Sequence, residues 1–224
     1  MPFVFQDVLA QIGALMEGAA VTVAVAITSI VAGALLGLCV AVVATSAGRV
    51  GRGLAAFYVE TFRNTPFLVQ LFFVYFGLPS LGIMISAPAA AFIALTLNLG
   101  AYAAEIIRAG IESTHPSQIE AGQSLGLARR HILLHVVLLP ALERVWPALS
   151  SQFILTMLAT SIVSQISVGE LTSAAALIES RTYRSMEVYL VAAGFYLGLT
   201  LLFRTGFGLL GRAIFARRRL AGLS

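Results

Sequence analysis

Polar and apolar positions in this chain do not alternate over short distances; they separate into long apolar runs with charges gathered at their ends. Residues 18–48, 64–104, 145–169 and 188–203 contain no Asp, Glu, Lys or Arg, whereas a helix on the surface of a soluble domain carries charge every turn or two. About 20 apolar residues cross the hydrocarbon core of a bilayer as a helix, so these runs mark spans. The 64–104 run is long enough for two, and Pro79, Ser80, Leu81 and Gly82 within it are turn formers at which the chain reverses. The pattern predicts five spans, over 18–45, 56–78, 86–108, 145–169 and 187–211, with a polar loop over 109–144. The fold class is an all-α integral membrane protein, a five-transmembrane-helix bundle forming one domain over 1–224. Gly33 and Gly37 give the first span a face for close helix packing.

An odd number of spans puts the termini on opposite sides, and the basic residues choose the sides. Basic residues in short loops stay on the cytoplasmic face. All 14 basic residues are arginine. With the N-terminus periplasmic and the C-terminus cytoplasmic, eleven fall on the inner side: Arg49, Arg52, Arg63, Arg108, Arg129, Arg130, Arg144, Arg212, Arg217, Arg218 and Arg219. Arg181 and Arg184 fall outside, and Arg204 lies within the last span, able to snorkel inward. The first apolar run is too long for a cleaved signal, and Asp7 and Glu17 precede it without a basic flank, so it is expected to stay as a span.

Composition supports the same class. The chain is 59% hydrophobic and 11% charged, with mean hydropathy +0.94, where soluble domains run near a quarter charged. Its net charge of +4 is spread over loops on one face without a basic stripe and interleaved aromatics, which fits membrane lipid and not nucleic acid. Cys39 stands alone within the first span, so no disulfide framework or thiolate metal site can be built in one chain.

The 109–144 loop is the most informative segment. It reads Ile119-Glu120-Ala121-Gly122-Gln123-Ser124-Leu125-Gly126-Leu127, then Ala128-Arg129-Arg130-His131, and closes on Val136 to Pro140. Pro116 and Ser117 can start a short helix, Glu120 sits near its positive end, and Gly126 can stop it in a left-handed turn. This segment resembles the permease family of ABC importers, whose cytoplasmic loop carries Glu-Ala-Ala, three residues, Gly, and a later apolar-Pro. Glu120, Ala121 and Gly126 match, Gly122 replaces the second Ala, and Pro140 falls about one residue late.

The resemblance covers roughly residues 18–211 and narrows to polar amino acid permeases. It rests on Tyr58-Val59-Glu60-Thr61-Phe62-Arg63-Asn64-Thr65-Pro66, on Gly100-Ala101-Tyr102-Ala103-Ala104-Glu105, on Thr160-Ser161-Ile162 and on Gly169-Glu170-Leu171-Thr172. It implies a bundle of the type I ABC importer permease kind, with a cytoplasmic coupling helix that docks in a cleft of a separate ATPase through Glu120, Ala121, Gly122, Ser124, Leu125 and Gly126. It also implies the partners: ATP-binding cassette ATPase subunits, a second permease that is identical or homologous, a periplasmic solute-binding protein, and the lipid of a bacterial inner membrane. The solute implied is an amino acid, or another small polar solute such as an opine or amino acid derivative. Many members have Lys-Asp immediately before the Thr-Ser of the fourth span, where this chain has Leu158-Ala159; substrate contacts then come from other positions or from a non-identical partner permease.

Polar side chains inside spans face a bundle interior or a watery path. Gln70, Asn98, Thr96, Gln152, Thr160, Ser161 and Gln165 are the candidates, either lining a substrate path or bonding helix to helix. Gln152, Ser161 and Gln165 are expected to form one pore-facing stripe. Glu105 and Arg108 are spaced to pair with each other or with Glu60 and Arg63.

Catalytic chemistry finds no support. His131 and His135 have the i, i+4 spacing of a metal pair but lack the intervening Glu and a third ligand, so no metal is assigned. There is no Gly-Lys-Ser/Thr loop and no lysine to meet a phosphate, so no cofactor is assigned and ATP is expected to be hydrolysed elsewhere. None of the ten acidic residues sits at mid-span, which argues against a membrane-embedded enzyme. Five spans without a visible repeat argue against an autonomous secondary carrier.

Overall fold

A computed structural model describes residues 5–220, and every regular element in that range is helical. After a short turn at Gln6–Leu9, the chain forms α1 (Ile12–Ser46), α2 (Arg49–Arg63), α3 (Phe67–Ser80), α4 (Ala87–Glu112), α5 (Pro116–Ser124), α6 (Arg129–Ile166), α7 (Leu171–Thr182) and α8 (Ser185–Leu220). Among the described residues, four helices are long and apolar enough to cross a membrane: Ile12–Ser46, Ala87–Glu112, Arg129–Ile166 and Ser185–Ala216.

Small residues decide how these helices meet. A Cβ on Gly33 would lie 2.9 Å from Leu99, and one on Gly37 would lie 2.6 Å from Ala103 Cβ and 2.9 Å from the Ala104 nitrogen, so α1 and α4 approach backbone to backbone. Gly110 does the same for α4 and α6, where a Cβ would fall 3.1 Å from the Ala141 carbonyl. α4 is therefore central, burying Ala90, Ala91, Ala94, Leu95, Leu99, Ala101, Ala103 and Ala104. The largest apolar core gathers Ala26, Ile30, Leu99, Ile107, Phe153, Met157 and Phe203 from α1, α4, α6 and α8. A second lies between α3, α4 and the end of α6, and a third between α1, α7 and the start of α8. On α8, Leu190, Leu197, Leu201, Leu202, Leu209 and Ile214 stay exposed, as a lipid-facing helix requires.

The structure departs from the sequence expectation in four places. The span expected over 56–78 is two helices, because Pro66 offers no N–H and biases Thr65 away from helical geometry. Asn64 Nδ2 finishes α2 by donating to the Glu60 carbonyl at 2.9 Å, and α3 that follows is apolar but short. The fourth helix begins at Arg129 instead of 145, so much of the expected loop belongs to α6. Its first turns widen into π-type geometry over Ile132–Leu138, just before Pro140, whose ring would strike the carbonyl four residues back in a regular helix. Pro79 follows a similar widening at Phe73–Gly77. At the far end α6 tightens to three residues per turn over Thr160–Ile166 and stops at Ser167, in left-handed conformation at φ 65°. Finally, the loop expected after the fourth span contains α7, buried through Leu171, Ala175 and Ile178.

Candidate functional site

At one end of the bundle, α5 folds because its local signals agree. Pro116 occupies the first turn, where its missing N–H is no loss, and His115 caps it, Nδ1 accepting from the Ser117 amide at 3.3 Å. Gly126 has φ +71°; its amide donates to the Gln123 carbonyl at 2.9 Å and the Leu127 amide donates to the Gly122 carbonyl at 3.1 Å. These paired bonds are those of a left-handed helix stop. Gly122 is buried because a Cβ there would stand 3.2 Å from Ile132 Cγ1, which seats α5 on the widened start of α6. The other residues expected to dock, Glu120, Ala121, Ser124, Leu125 and Gly126, are all exposed. Leu125 is 78% exposed, and it borders a cavity of about 460 Å³ shared with Ala121, His135, Pro140 and Arg144. The rings of His131 and His135 stack at 4.1 Å, with His135 Nδ1 3.3 Å from the His131 carbonyl.

Beside it a charged cavity of about 600 Å³ opens between α1, α2 and α4. Glu105 receives Arg108 at 2.6 Å and lies 3.8 Å from Arg63, and Arg108 also reaches Glu112 at 2.6 Å. The pairing expected of Glu105 and Arg108 is thus present, extended by one carboxylate. Arg63 lies over the Tyr102 ring at 5.6 Å, and Glu60, Arg52 and Asn64 complete the polar wall. Tyr58 docks α2 onto α4 by donating to the Leu97 carbonyl at 2.6 Å.

The expected pathway residues fall into two groups. Gln70 and Asn98 come together: Asn98 Nδ2 donates to Gln70 Oε1 at 2.9 Å. Gln70 Nε2 in turn donates to the carbonyls of Phe62 at 2.7 Å and Thr65 at 3.0 Å. One amide therefore closes the break between α2 and α3 and fastens it to α4. Thr160 and Ser161 donate to the Met157 and Leu158 carbonyls, Gln152 is half-buried and Gln165 exposed. The single stripe expected for Gln152, Ser161 and Gln165 does not form. Nine residues at about 100° each put Gln152 half a turn from Ser161. The tight turn over Thr160–Ile166 then swings Gln165 about 120° from Ser161 instead of about 40°. Thr96 is half-buried, and its buried hydroxyl has no hydrogen-bond partner among the described residues.

At the opposite end lies a network that sequence reasoning missed. Glu170 is fully buried and caps α7, Oε1 accepting from the Ser173 amide at 2.8 Å. Oε2 accepts from Tyr196 Oη of α8 at 2.7 Å and from Thr22 Oγ1 of α1 at 3.4 Å. Thr22 also accepts from the Leu171 amide at 3.2 Å. One carboxylate therefore joins α1, α7 and α8; the available signal was Glu-x-x-Ser directly after Gly169, an N-cap pattern. Among the described residues no group of three or more His, Cys, Asp or Glu side chains could hold a metal ion.

Comparison with known proteins fits this architecture. Residues 29–216 match the family model described as binding-protein-dependent transport system inner membrane component. The glutamine transport system permease protein GlnP of Escherichia coli strain K12 is 34% identical over 203 residues, covering 90% of this chain and 93% of that one. The arginine transport system permease protein ArtQ of Bacillus subtilis strain 168 is 34% identical over 199 residues, covering 88% and 91%. A chain in the crystal structure of an amino acid ABC transporter with histidines superposes with TM-score 0.85 at 36% identity, over 95% of this chain and all of that one. Match length, identity and shared backbone agree: the chain belongs to the family of binding-protein-dependent transport system inner membrane components.

Proposed function

We propose that this chain is the permease subunit of an ATP-driven importer that carries amino acids across a bacterial inner membrane. The observation that carries the reading is α5, a short helix capped at both ends, seated on α6 through Gly122 and, apart from the half-buried Ile119, otherwise exposed. A rigid, outstanding helix of this kind suits docking into a separate ATPase, because closure of that partner can pass to the spans as a rigid-body movement. Glu120, Ala121, Ser124, Leu125 and Gly126 form the contact, and ATP is hydrolysed in the partner.

In this reading the chain crosses the membrane five times, with α3 as the second crossing, the N-terminus periplasmic and the C-terminus cytoplasmic. A second permease, identical or homologous, completes the path. A periplasmic solute-binding protein delivers the solute. The route runs past Gln165, the exposed member of the expected set, and ends in the charged cavity, while Gln70 and Asn98 fasten the α2–α3 break to α4. There Arg63 suits the carboxylate of a small zwitterion and Glu60 its ammonium group. Support for an amino acid solute comes from the relatives, which include transporters of glutamine and of arginine.

The test is reconstitution of this chain with its ATPase in liposomes, titrated with binding protein and a panel of amino acids and opines. Stimulation of ATP hydrolysis by one loaded binding protein is expected and names the solute. Failure of any ATPase subunit to associate with the chain refutes the reading.

A further inference from the structure

Glu170 is a buried titratable group for which neither the solute route nor the docking helix has a use. Its side chain is 0% exposed, and it makes no ion pair among the described residues. Thr22 faces it from α1, Tyr196 from α8, and Thr172 and Ser173 from α7; of these only Tyr196 titrates. The end of α6 over 160–168 brings no titratable residue. On α1 and α7, Glu17 and Arg181 border a cleft that Gly169 and Ser173 share, and Glu179 accepts from Ser185. Glu187 at the start of α8 meets Arg184. A buried carboxylate without a cation is costly. Burial therefore pushes the Glu170 carboxyl above its ordinary value, against the pull of the Thr172 and Ser173 amides and the Tyr196 and Thr22 hydroxyls.

The network holds either charge state. To a carboxylate, Tyr196 Oη donates at 2.7 Å and Thr22 Oγ1 at 3.4 Å, both to Oε2. A carboxylic acid donates from Oε2 to Tyr196 Oη instead. Tyr196 then turns its own hydrogen to Thr172 Oγ1, 2.9 Å away, in a bond that either hydroxyl is able to donate. Oε1 accepts from the Ser173 amide in both forms, so a proton is accommodated without a heavy-atom shift. Its affinity depends on the packing around it. α1 and α7 meet backbone to backbone here, a Cβ on Gly18 falling 3.0 Å from Leu171 Cα and 3.1 Å from the Glu170 carbonyl oxygen. Tyr196 packs against both the largest and the third apolar core. Parting α8 or α1 from α7 wets the carboxyl and returns its proton affinity to the ordinary value.

We infer that Glu170 is a proton-binding site linked to the transport cycle, holding a proton while α1, α7 and α8 are packed together and releasing it when they part. The inference rests on the importer reading above, in which this end of the bundle faces the periplasm and opens for solute. Linkage fixes the direction. A carboxyl that holds its proton more tightly when packed favours the packed form in acid, and that advantage is lost as pH rises through its packed-state value. Acid on the periplasmic side therefore opposes opening.

The test uses the complete transporter in nanodiscs, the chain with its ATPase and loaded binding protein. Glu170→Gln keeps the shape, accepts from the Ser173 amide and donates to Tyr196, but never ionises. The infrared carbonyl band of a buried carboxylic acid is expected in the nucleotide-free wild type, fading as pH rises and absent from Glu170→Gln. Binding of a non-hydrolysable ATP analogue, followed with a pH indicator in weak buffer, should release about one proton more per copy of this chain from the wild type than from Glu170→Gln. Tyr196→Phe removes a donor to the carboxylate, so it should move the fading of the band, and the proton release with it, to higher pH; it identifies the band even where Glu170→Gln fails to assemble. No band that either variant removes or shifts across roughly pH 5 to 8, or equal proton release from wild type and Glu170→Gln, overturns this inference alone. A wild-type transporter whose ATP hydrolysis no loaded binding protein stimulates refutes the importer reading and this inference with it.

Discussion

Leu125, which caps the end of α5, separates the stability of the chain from its docking more cleanly than the residues of α5 itself. Its side chain is 78% exposed, so Leu125→Ala should change the stability of the chain by less than about 0.5 kcal/mol. If α5 sits in a cleft of the ATPase, the same side chain is desolvated there. Truncation removes roughly three methylene-sized groups at about 0.8 kcal/mol each, or about 2 kcal/mol in all. That is about 30-fold in the dissociation constant for the ATPase subunit. The assay titrates nucleotide-free ATPase onto the chain in nanodiscs, with an unfolding midpoint measured on the same preparation. Gly126→Ala is the companion variant. A Cβ at φ +71° costs about 1–2 kcal/mol, enough to fray the helix stop and speed hydrogen exchange at the Gly126 and Leu127 amides. Leu125→Ala leaving both affinity and midpoint unchanged would refute the assignment of α5 as the docking element.

Three further outcomes follow from internal contacts and backbone conformation. Gln70→Leu keeps the volume but abolishes the bonds from Asn98 and to Phe62 and Thr65; at about 0.6 kcal/mol for each bond within a membrane protein, the loss is about 2 kcal/mol. Reversible unfolding in mixed micelles reads it, and a change below about 0.5 kcal/mol would mean the break between α2 and α3 is held by other contacts. Gly37→Ala drives a methyl group to within 2.9 Å of backbone atoms at Gly100 and Ala104, which cannot swing aside, so about 1–3 kcal/mol should be lost. An unchanged unfolding midpoint would contradict the close approach of α1 and α4. Ser167→Gly should stabilise the protein by about 1 kcal/mol by relieving the left-handed residue that ends α6; destabilisation in the same assay would show that the serine side chain holds the turn.

The long helices were legible because a bilayer forces one choice on an uncharged run. Backbone groups have no water there, so the run must be helical for most of its length. That argument fixed α1, α4, the second half of α6 and α8 to within a few residues at most ends. It failed at Pro66, where apolar continuity from Phe67 to Leu78 outweighed a proline that splits the expected span. It failed again on Ala128–Arg144, where Arg129, Arg130, Glu143 and Arg144 made a helix look like a loop. Charge marks where a helix leaves the hydrocarbon, and a helix can continue well beyond that level.

The candidate site was legible where its signals were local and obscure where they were tertiary. Pro116, Gly126 and the small Gly122 each act through neighbours close in sequence, so α5 could be placed from its own residues. Glu170 acts through Thr22, which is 148 positions away in the chain, and no local pattern connects the two. Gln70 looked like a pathway residue because it is polar inside an apolar run, yet its amide is engaged on both sides by Asn98 and by the backbone of the α2–α3 break. Polarity within a span thus identifies a residue that needs partners. Whether the partner is solute or protein depends on how many of its donors and acceptors the fold has already used. By that measure Gln165, exposed and beyond the end of the regular helix, is freer to meet a solute than Gln70.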